Sequence, residues 1–374
     1  MARVAVLHNT LDLRGGADAV CLRVCACLDA DHDVTLFTVS KTPLSVLNRL
    51  FDTAVDVPVR TPLGTGALAP ALTRVDDRLG PQLAPRSVLL WRWFRRHADG
   101  FDLVVSTANE FGFERPSVQY VHFPQFNAAA DDRGGAGDAT GLANRLWTRA
   151  ARLGDRRLPG DATLLANSGY TAAHVERRYG RRPAVVHPPV DPVEGRPWRD
   201  REAGVVTVGR VAPDNRTLDA VRVVDAVRER GHDLHLHLVG STSDAYRSYV
   251  RRVERAADAR TYVTFERNAP RGRVETLLGR HRYGFNPKRD EHFGMALAEY
   301  VAAGMVAFGH DSGGCPSVLD GAEDRLYDDV ADAAAKVATA VETDARPRLS
   351  QDRFASDRFD EQVRTAVADR LRTA

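Results

Sequence analysis

The 374-residue sequence lacks long apolar runs and an excess of charge of one sign, and only three of its 52 basic residues are lysine. No stretch approaches the roughly 18–20 apolar residues that a membrane-spanning helix needs. The opening MARVAVLHNT is too short an apolar run for a signal peptide, because Asn9 interrupts it. The 52 basic and 50 acidic residues leave a net charge of +2, which gives no global attraction toward nucleic acid. These absences predict a cytoplasmic protein that does not span a membrane.

Cysteine is scarce as well, with four residues at Cys21, Cys25, Cys27 and Cys315. Three of them lie close together, which argues against a disulfide framework and favours a reducing compartment. Only Cys21 and Cys25 share a helix face, and no fourth ligand lies nearby in the sequence. We therefore favour packing of the cysteines in a core over a metal or redox role.

Hydrophobic residues make up 43% of the chain, enough for sizeable cores, and 374 residues exceed the roughly 250–300 that one core supports. Apolar runs typical of buried parallel strands alternate with helical patterns, beginning with a strand–helix–strand unit. The strands predicted in the first half are 3–8, 33–39, 101–106, 116–123 and 162–168. The Gly- and Asp-rich segment 131–141 is predicted to be a mobile loop or a lid over an acceptor.

Residues 181–200 contain five prolines and are predicted to link two domains. After this linker the alternation of strands and helices restarts, so the predicted fold class is α/β, with two Rossmann-like domains facing across a cleft. The expected division is an N-terminal domain 1–190, a C-terminal domain 191–350, and a helix 351–374 that returns to the first domain. No G-x-G-x-x-G follows a predicted strand, which argues against a dinucleotide oxidoreductase.

The segment RDEHFGMALAEYVAAG (289–304) carries the most specific chemistry. A strand ends before it and a helix begins near Gly294, whose backbone amides and helix dipole suit a phosphate. Glu291 precedes that turn, and Glu299 lies where a carboxylate could accept the hydroxyls of a ribose. The same spacing also fits an alternative without a ligand, in which Glu291 is an ordinary acid at the start of a helix and Glu299 is a solvated surface residue. The apolar surroundings of Glu299 favour the ligand site, because an unpaired carboxylate there would be costly.

The Glu-x7-Glu pattern, with FG after the first Glu and AAG after the second, resembles the signature of GT-B retaining glycosyltransferases of family 4. Seven further segments resemble that family in the same order. They are LRGGADAV (13–20), YVHFP (120–124), LANSGYTAAHVERRYG (165–180), VVHPPVDP (185–192), VGRVAPDN with LHLVGS (208–215 and 236–241), and DSGGCPSVL (311–319). The YVHFP form is also seen in dolichol-linked mannosyltransferases.

The resemblance implies a set of site residues. The residues implied in catalysis are His122, Arg210 and Glu291, and those implied in donor binding are Gly15, Gly16, Arg216, Phe293, Gly294, Met295 and Glu299. The family usually has a lysine five residues after the phosphate-binding arginine, where this sequence has Asn215. Arg216 follows at once, and whether it supplies the missing charge is left open. The resemblance implies no cofactor and no metal requirement.

By the same resemblance, the chain would be a hexosyltransferase that moves a sugar from a UDP- or GDP-linked donor to a hydroxyl of a lipid-linked glycan or polysaccharide, with retention. Alternatives are a catalytically weak nucleotide-sugar-binding protein and a GT-B nucleotide-sugar epimerase. No nucleic-acid partner is expected. The enzyme would work in the cytoplasm, with peripheral contact at the cytoplasmic face of the membrane as an option.

Two further segments have alternative interpretations. The Trp- and Arg-rich segment 86–102 could lie in a membrane interface through 86–97, but we favour packing of its aromatic side chains against the N-terminal sheet. His235 and His237 alternate on a predicted strand and could share one face. Without an Asp or His partner at ligand spacing, a metal site there is not favoured.

Overall fold

The computed structural model describes residues 1–62, 65, 83–113, 115–124, 162–242 and 246–373. The segment 131–141, predicted as a loop or lid, lies outside these residues. The chain divides into two compact units: unit 1 comprises Met1–His187 with Asp357–Ala374, and unit 2 comprises Pro188–Ser356. The linker predicted at 181–200 contains the first passage from unit 1 to unit 2.

Unit 1 is built on a seven-stranded sheet with the order β3-β2-β1-β4-β5-β6-β7, in which the described strand pairs are parallel. The continuous apolar run of its first strand is buried, as expected for a parallel strand covered on both faces. Its strands are β1 (Arg3–His8), β2 (Asp33–Thr38), β3 (Val59–Arg60), β4 (Leu103–Ser106), β5 (Ser117–Val121), β6 (Ala162–Ala166) and β7 (Ala184–Val185). Its helices are α1 (Gly16–Asp29), α2 (Leu44–Phe51), α3 (Leu83–Phe94) and α4 (Gly169–Tyr179).

Unit 2 has a six-stranded sheet with the order β10-β9-β8-β11-β12-β13, again parallel in the described pairs. The strands are β8 (Glu202–Val208), β9 (His235–Gly240), β10 (Val263–Arg267), β11 (His281–Asn286), β12 (Val306–His310) and β13 (Leu326–Tyr327). The helices are α5 (Thr217–Glu229), α6 (Arg247–Asp258), α7 (Arg271–Arg280), α8 (Met295–Ala302), α9 (Cys315–Val318), α10 (Val330–Glu342) and α11 (Ser356–Arg372), the last continuing into unit 1. The predicted α/β class is confirmed for both units.

Each sheet reverses its strand order at one place, between β1 and β4 in unit 1 and between β8 and β11 in unit 2. Ligands of open α/β sheets bind at such switch points, outside the carboxyl ends of the strands. The loops 209–216 and 287–294 leave the carboxyl ends of β8 and β11, which are hydrogen-bonded neighbours. The switch point of unit 2 therefore brings together two of the segments that the sequence singles out.

The aromatic side chains of 86–102 pack inside unit 1. Trp91 and Phe94 are buried in a cluster with strand residues of β1 and β2, and Phe94 meets the ring of Phe37 edge-on at 5.0 Å. This confirms the packing interpretation, while Arg95 and Arg96 remain exposed. None of the described helices has the length and apolarity that crossing a membrane requires.

Candidate active site

The turn from the β11 loop into α8 depends on Gly294, which has a φ of 104° and a ψ of 61°. Glycine adopts this left-handed conformation without the penalty that a Cβ would add. The first bond inside the helix runs from the Ala298 N–H to the Gly294 carbonyl at 2.9 Å. The amides of Met295, Ala296 and Leu297 therefore have no acceptor within the helix. Together with the positive end of the helix dipole, they form a site suited to an anion.

A pair of glycines after β12 holds the loop that carries Glu291. The Gly314 N–H donates to the Glu291 carbonyl at 2.6 Å. A Cβ on Gly313 would lie 2.3 Å from that carbonyl oxygen, and a Cβ on Gly314 would lie 2.7 Å from the Phe293 carbonyl oxygen. Only glycine allows such close approach of two backbones. The GG of DSGGCPSVL therefore positions the Glu291 loop.

The carboxylate of Glu291 has a lysine beside it. The Lys288 Nζ lies 3.3 Å from the Glu291 Oε1, and the two side chains are 27% and 21% exposed. The Asn286 side chain, at the end of β11, accepts a hydrogen bond from the Lys288 amide at 3.2 Å. The loop thus presents a cation and an anion together, next to the amides of the α8 N-terminus.

Glu299 is not a solvated surface acid, because its side chain is only 14% exposed and forms an ion pair with Arg271. The same guanidinium also binds Glu275 at 2.8 Å. Burial alone would lower the pKa of Arg271, but the carboxylates of Glu299 and Glu275 outweigh burial and raise it. Arg271 therefore compensates the cost of holding a carboxylate in this apolar segment.

The residue after Glu299 anchors the helix to the sheet. Tyr300 is fully buried, and its hydroxyl accepts a hydrogen bond from the Val208 amide at 2.7 Å, at the end of β8. Its ring lies over Gly284 of β11, where an added Cβ would be 2.3 Å from the ring. Helix α8 is thereby fixed across β8 and β11, the two strands that form the switch point.

Arg210 lies two residues beyond β8, with its side chain 41% exposed. Its guanidinium pairs with Asp214 at 2.9 Å and lies 5.7 Å from the centre of the Tyr246 ring. The Asn215 side chain donates to the Arg210 carbonyl at 2.7 Å. At the position where the family usually has a lysine, this chain therefore has a neutral side chain that is hydrogen-bonded to the backbone of its own loop.

Arg216 turns toward its own helix. Its backbone is left-handed, with a φ of 51°, and its Nε binds the Asp219 carboxylate at 2.7 Å. Arg222 binds the other oxygen of Asp219 at 2.7 Å. The charge of Arg216 is thus engaged in the first turn of α5.

The predicted residues of unit 1 lie at the carboxyl edge of its sheet. Gly15 and Gly16 are exposed after β1, and a Cβ on Gly15 would meet nothing within 4 Å. His122 follows β5, where its amide donates to the Asn109 side chain at 2.8 Å and its carbonyl accepts from the Thr171 hydroxyl at 3.1 Å. Asn109, Thr171 and Arg271 could not be found from the sequence, because their contacts with His122 and Glu299 join segments distant in sequence. Lys288 lies only three residues before Glu291, so its spacing was the one signal available.

All four cysteines are buried and free of disulfides, and the three on α1 pack in the core of unit 1. The expected core role is therefore confirmed. The expectation that His235 and His237 lack a histidine partner is wrong. His281 begins β11, two strands away from β9, and one nitrogen from each of the three imidazoles lies within 4.8 Å of the others.

Solved structures match the fold over nearly the whole chain. HepE of Anabaena, in complex with UDP and glucose, matches with a TM-score of 0.69 at 16% identity, over 99% of this chain and 100% of HepE. WaaG, a glycosyltransferase involved in lipopolysaccharide biosynthesis, matches with a TM-score of 0.57 at 14% identity, over 99% of this chain and 94% of WaaG. These similarities establish the GT-B fold.

Two family models and several curated relatives define the family. Glycosyltransferase Family 4 matches residues 14–194, and Glycosyl transferases group 1 matches residues 194–355. The chain belongs to the family 4 glycosyltransferases.

The curated relatives are mannosyltransferases. The GDP-Man:Man(3)GlcNAc(2)-PP-Dol alpha-1,2-mannosyltransferase of Neurospora crassa is 28% identical, over 57% of this chain and 48% of that enzyme. The human protein of the same name is 25% identical, over 40% of this chain and 34% of its own length. The match thus spans about half of the Neurospora enzyme and a third of the human one.

Proposed function

We propose that this glycosyltransferase moves a hexose from a nucleoside-diphosphate sugar to a hydroxyl of a lipid-linked glycan or polysaccharide, with retention, at the cytoplasmic face of a membrane. The observation that carries the proposal is the corner formed by residues 287–302 at the switch point of unit 2. It combines an anion site at a helix N-terminus, a cation, and two partly buried carboxylates. These are the groups that a nucleotide diphosphate and its sugar require.

In this proposal, the amides at the start of α8 bind the diphosphate, with Phe293, Gly294 and Met295 lining the turn. Arg210 stabilises the negative charge that develops on the leaving diphosphate. Glu299, oriented by Arg271, binds the ribose hydroxyls, and Glu291 contacts the donor sugar near its reacting carbon. His122 contacts the donor sugar, and Gly15 and Gly16 let the acceptor or a phosphate approach the backbone of unit 1.

The names of the relatives guide the choice of donor and acceptor. GDP-mannose and a pyrophosphate-linked lipid acceptor are tested first, because the curated relatives are named for both. UDP-glucose is tested second, because HepE was solved with UDP and glucose. Thermal unfolding of the protein with each nucleotide sugar identifies the donor, and transfer to a dolichyl- or polyprenyl-pyrophosphate oligosaccharide identifies the acceptor class. The anomeric configuration of the product, determined by NMR, tests retention.

A catalytically weak nucleotide-sugar-binding protein is the second candidate, and Asn215 favours it. If a nucleotide sugar stabilises the protein but no acceptor receives the sugar, this candidate replaces the transferase. If no nucleotide stabilises the protein, both candidates fail.

We expect Glu299→Ala to weaken binding of the donor nucleotide by about 10- to 100-fold. Hydrogen bonds to a charged group contribute about 1.5–3 kcal/mol, and 1.4 kcal/mol corresponds to a tenfold change. The measurement is isothermal titration with GDP and UDP. Glu275→Ala is the matched control, because Glu275 binds the same Arg271 from an exposed position. Equal nucleotide affinity in the two variants would show that Glu299 does not bind the ribose.

The missing charge at Asn215 can be traced with two variants. We expect Lys288→Ala to lower turnover by about 10- to 100-fold, because Lys288 lies beside Glu291 on the loop at the switch point. We expect Arg216→Ala to lower it by less than about fivefold, the scale of an exposed ion pair, because Arg216 is engaged with Asp219. Steady-state kinetics with the identified donor decides between them. A larger loss in Arg216→Ala would assign the charge to Arg216 instead.

A further inference from the structure

Three histidines of unit 2 meet at the amino edge of its sheet, opposite the carboxyl edge that carries the candidate active site. His235 and His237 alternate on β9 and so point to one face, and His281 is the first residue of β11. Strand β8 runs between them, and Gly204 pairs with His235 in the sheet. A Cβ on Gly204 would lie 2.3 Å from the His235 Nε2 and 2.7 Å from the His281 Cδ2. The absent side chain of Gly204 is what lets imidazoles from two non-adjacent strands meet.

Hydrogen bonds fix which nitrogens carry protons in two of these rings. The His281 Nδ1 lies 2.7 Å from the Leu277 carbonyl, which only accepts, so Nδ1 is the donor and Nε2 keeps its lone pair. The His237 Nδ1 lies 3.2 Å from the Glu266 carboxylate, so its Nε2 keeps a lone pair as well. An imidazole whose far nitrogen donates to a carbonyl or carboxylate is the usual arrangement of a metal ligand, because it orients the ring and increases its basicity.

The spacing of the nitrogens suits a small ion. The His235 and His281 Nε2 atoms are 3.0 Å apart, and one nitrogen from each of the three rings lies within 4.8 Å of the others. Zinc–nitrogen bonds of about 2.0–2.1 Å place tetrahedral ligands about 3.4 Å apart. His235 would bind through Nε2 after a shift to its other neutral tautomer, so small ring rotations bring the three nitrogens to ligand geometry.

A carboxylate lies where a fourth ligand is needed. The Glu202 Oε2 is 3.5 Å from the His281 Nε2 and 3.7 Å from the His235 Nε2. The other oxygen of Glu202 pairs with Arg280, which orients the group.

We propose that His235, His237 and His281, with Glu202 as the fourth ligand, form a binding site for a divalent transition metal of the zinc class. A site closed by four protein ligands is structural, and this one would join β8, β9 and β11 where these strands begin. It is independent of the transferase proposal, because its residues lie at the opposite edge of the sheet. It also differs from the expectation that the chain has no metal site.

Zinc binding by tag-free, chelator-treated protein tests the site. We expect one equivalent of Zn²⁺ to bind and to raise the thermal unfolding temperature. We expect Co²⁺ to give the visible absorption of a four-coordinate complex. His235→Gln and His237→Gln should each weaken zinc binding by at least about 100-fold, because even the loss of an outer partner costs about 10- to 100-fold. Glu266→Gln changes the outer partner of His237 and should weaken zinc binding by about 10- to 100-fold.

Two variants complete the test. His232→Gln is the matched control, because His232 lies three residues before His235 and pairs with Glu342 instead. This variant should bind zinc like the wild type. Gly204→Ala removes no ligand but should abolish binding, since its methyl group displaces the His235 ring. The proposal is overturned if the wild type binds no zinc, or if His235→Gln and His237→Gln bind it as tightly as His232→Gln does.

Discussion

Replacing Arg210 with alanine is expected to lower turnover by about 100- to 1,000-fold while changing donor affinity by less than about tenfold. Removal of one preorganised group that stabilises developing charge has this magnitude in other enzymes. The charge on the leaving diphosphate is larger in the transition state than in the bound donor, so the loss falls on kcat. The ion pair with Asp214 is exposed, and breaking it costs little stability.

The measurement compares kcat and KM with the nucleotide affinity of the same protein. Arg222→Ala is the matched control, because Arg222 is 60% exposed on α5 and pairs with Asp219. We expect this control to retain wild-type turnover. An Arg210→Ala enzyme with unchanged kcat, or with equal losses in kcat and affinity, would contradict a role for Arg210 at the leaving group.

The sequence was sufficient for the features that follow from local pattern. The apolar runs of β1, β2 and β8 are continuous because parallel strands are covered on both faces, so they stand out without an alignment. Helices α5 and α8 both end shortly before a glycine, Gly231 and Gly304, whose left-handed φ values of 95° and 63° are readily adopted by that residue type. Local chemistry at the start of α8 likewise predicted an anion site.

Contacts between distant segments could not be predicted in this way. His281 lies 44 residues after His237 in the sequence, and only the strand order β9-β8-β11 brings the two imidazoles together. Arg271 reaches Glu299 from the preceding helix, a pairing that no spacing rule indicates. Both contacts require the tertiary fold. The hydrogen bond from Asn215 to the Arg210 carbonyl is local, but it depends on the conformation of the loop after β8, which the residue pattern does not specify.

A buried ion pair in unit 1 leads to the second large effect. The His8 Nε2 lies 3.0 Å from the Asp18 carboxylate, and the two side chains are each 2% exposed. The His8 Nδ1 lies 3.0 Å from the Thr107 hydroxyl and 3.2 Å from the Thr107 carbonyl, so the imidazolium form can donate from both ring nitrogens. Burial alone would lower the pKa of His8, but the Cys21 sulfur and the Asp18 carboxylate outweigh burial and raise it to about 10.

We expect Asp18→Asn to destabilise unit 1 by about 3–5 kcal/mol, because it removes the carboxylate that pairs with the buried imidazolium of His8. The double variant His8→Gln with Asp18→Asn should recover part of this loss, since it removes the charge as well. Hydrogen exchange of peptides from β1 and α1 reports on unit 1 separately from unit 2. Exchange rates in Asp18→Asn equal to those of the wild type would show that His8 is neutral.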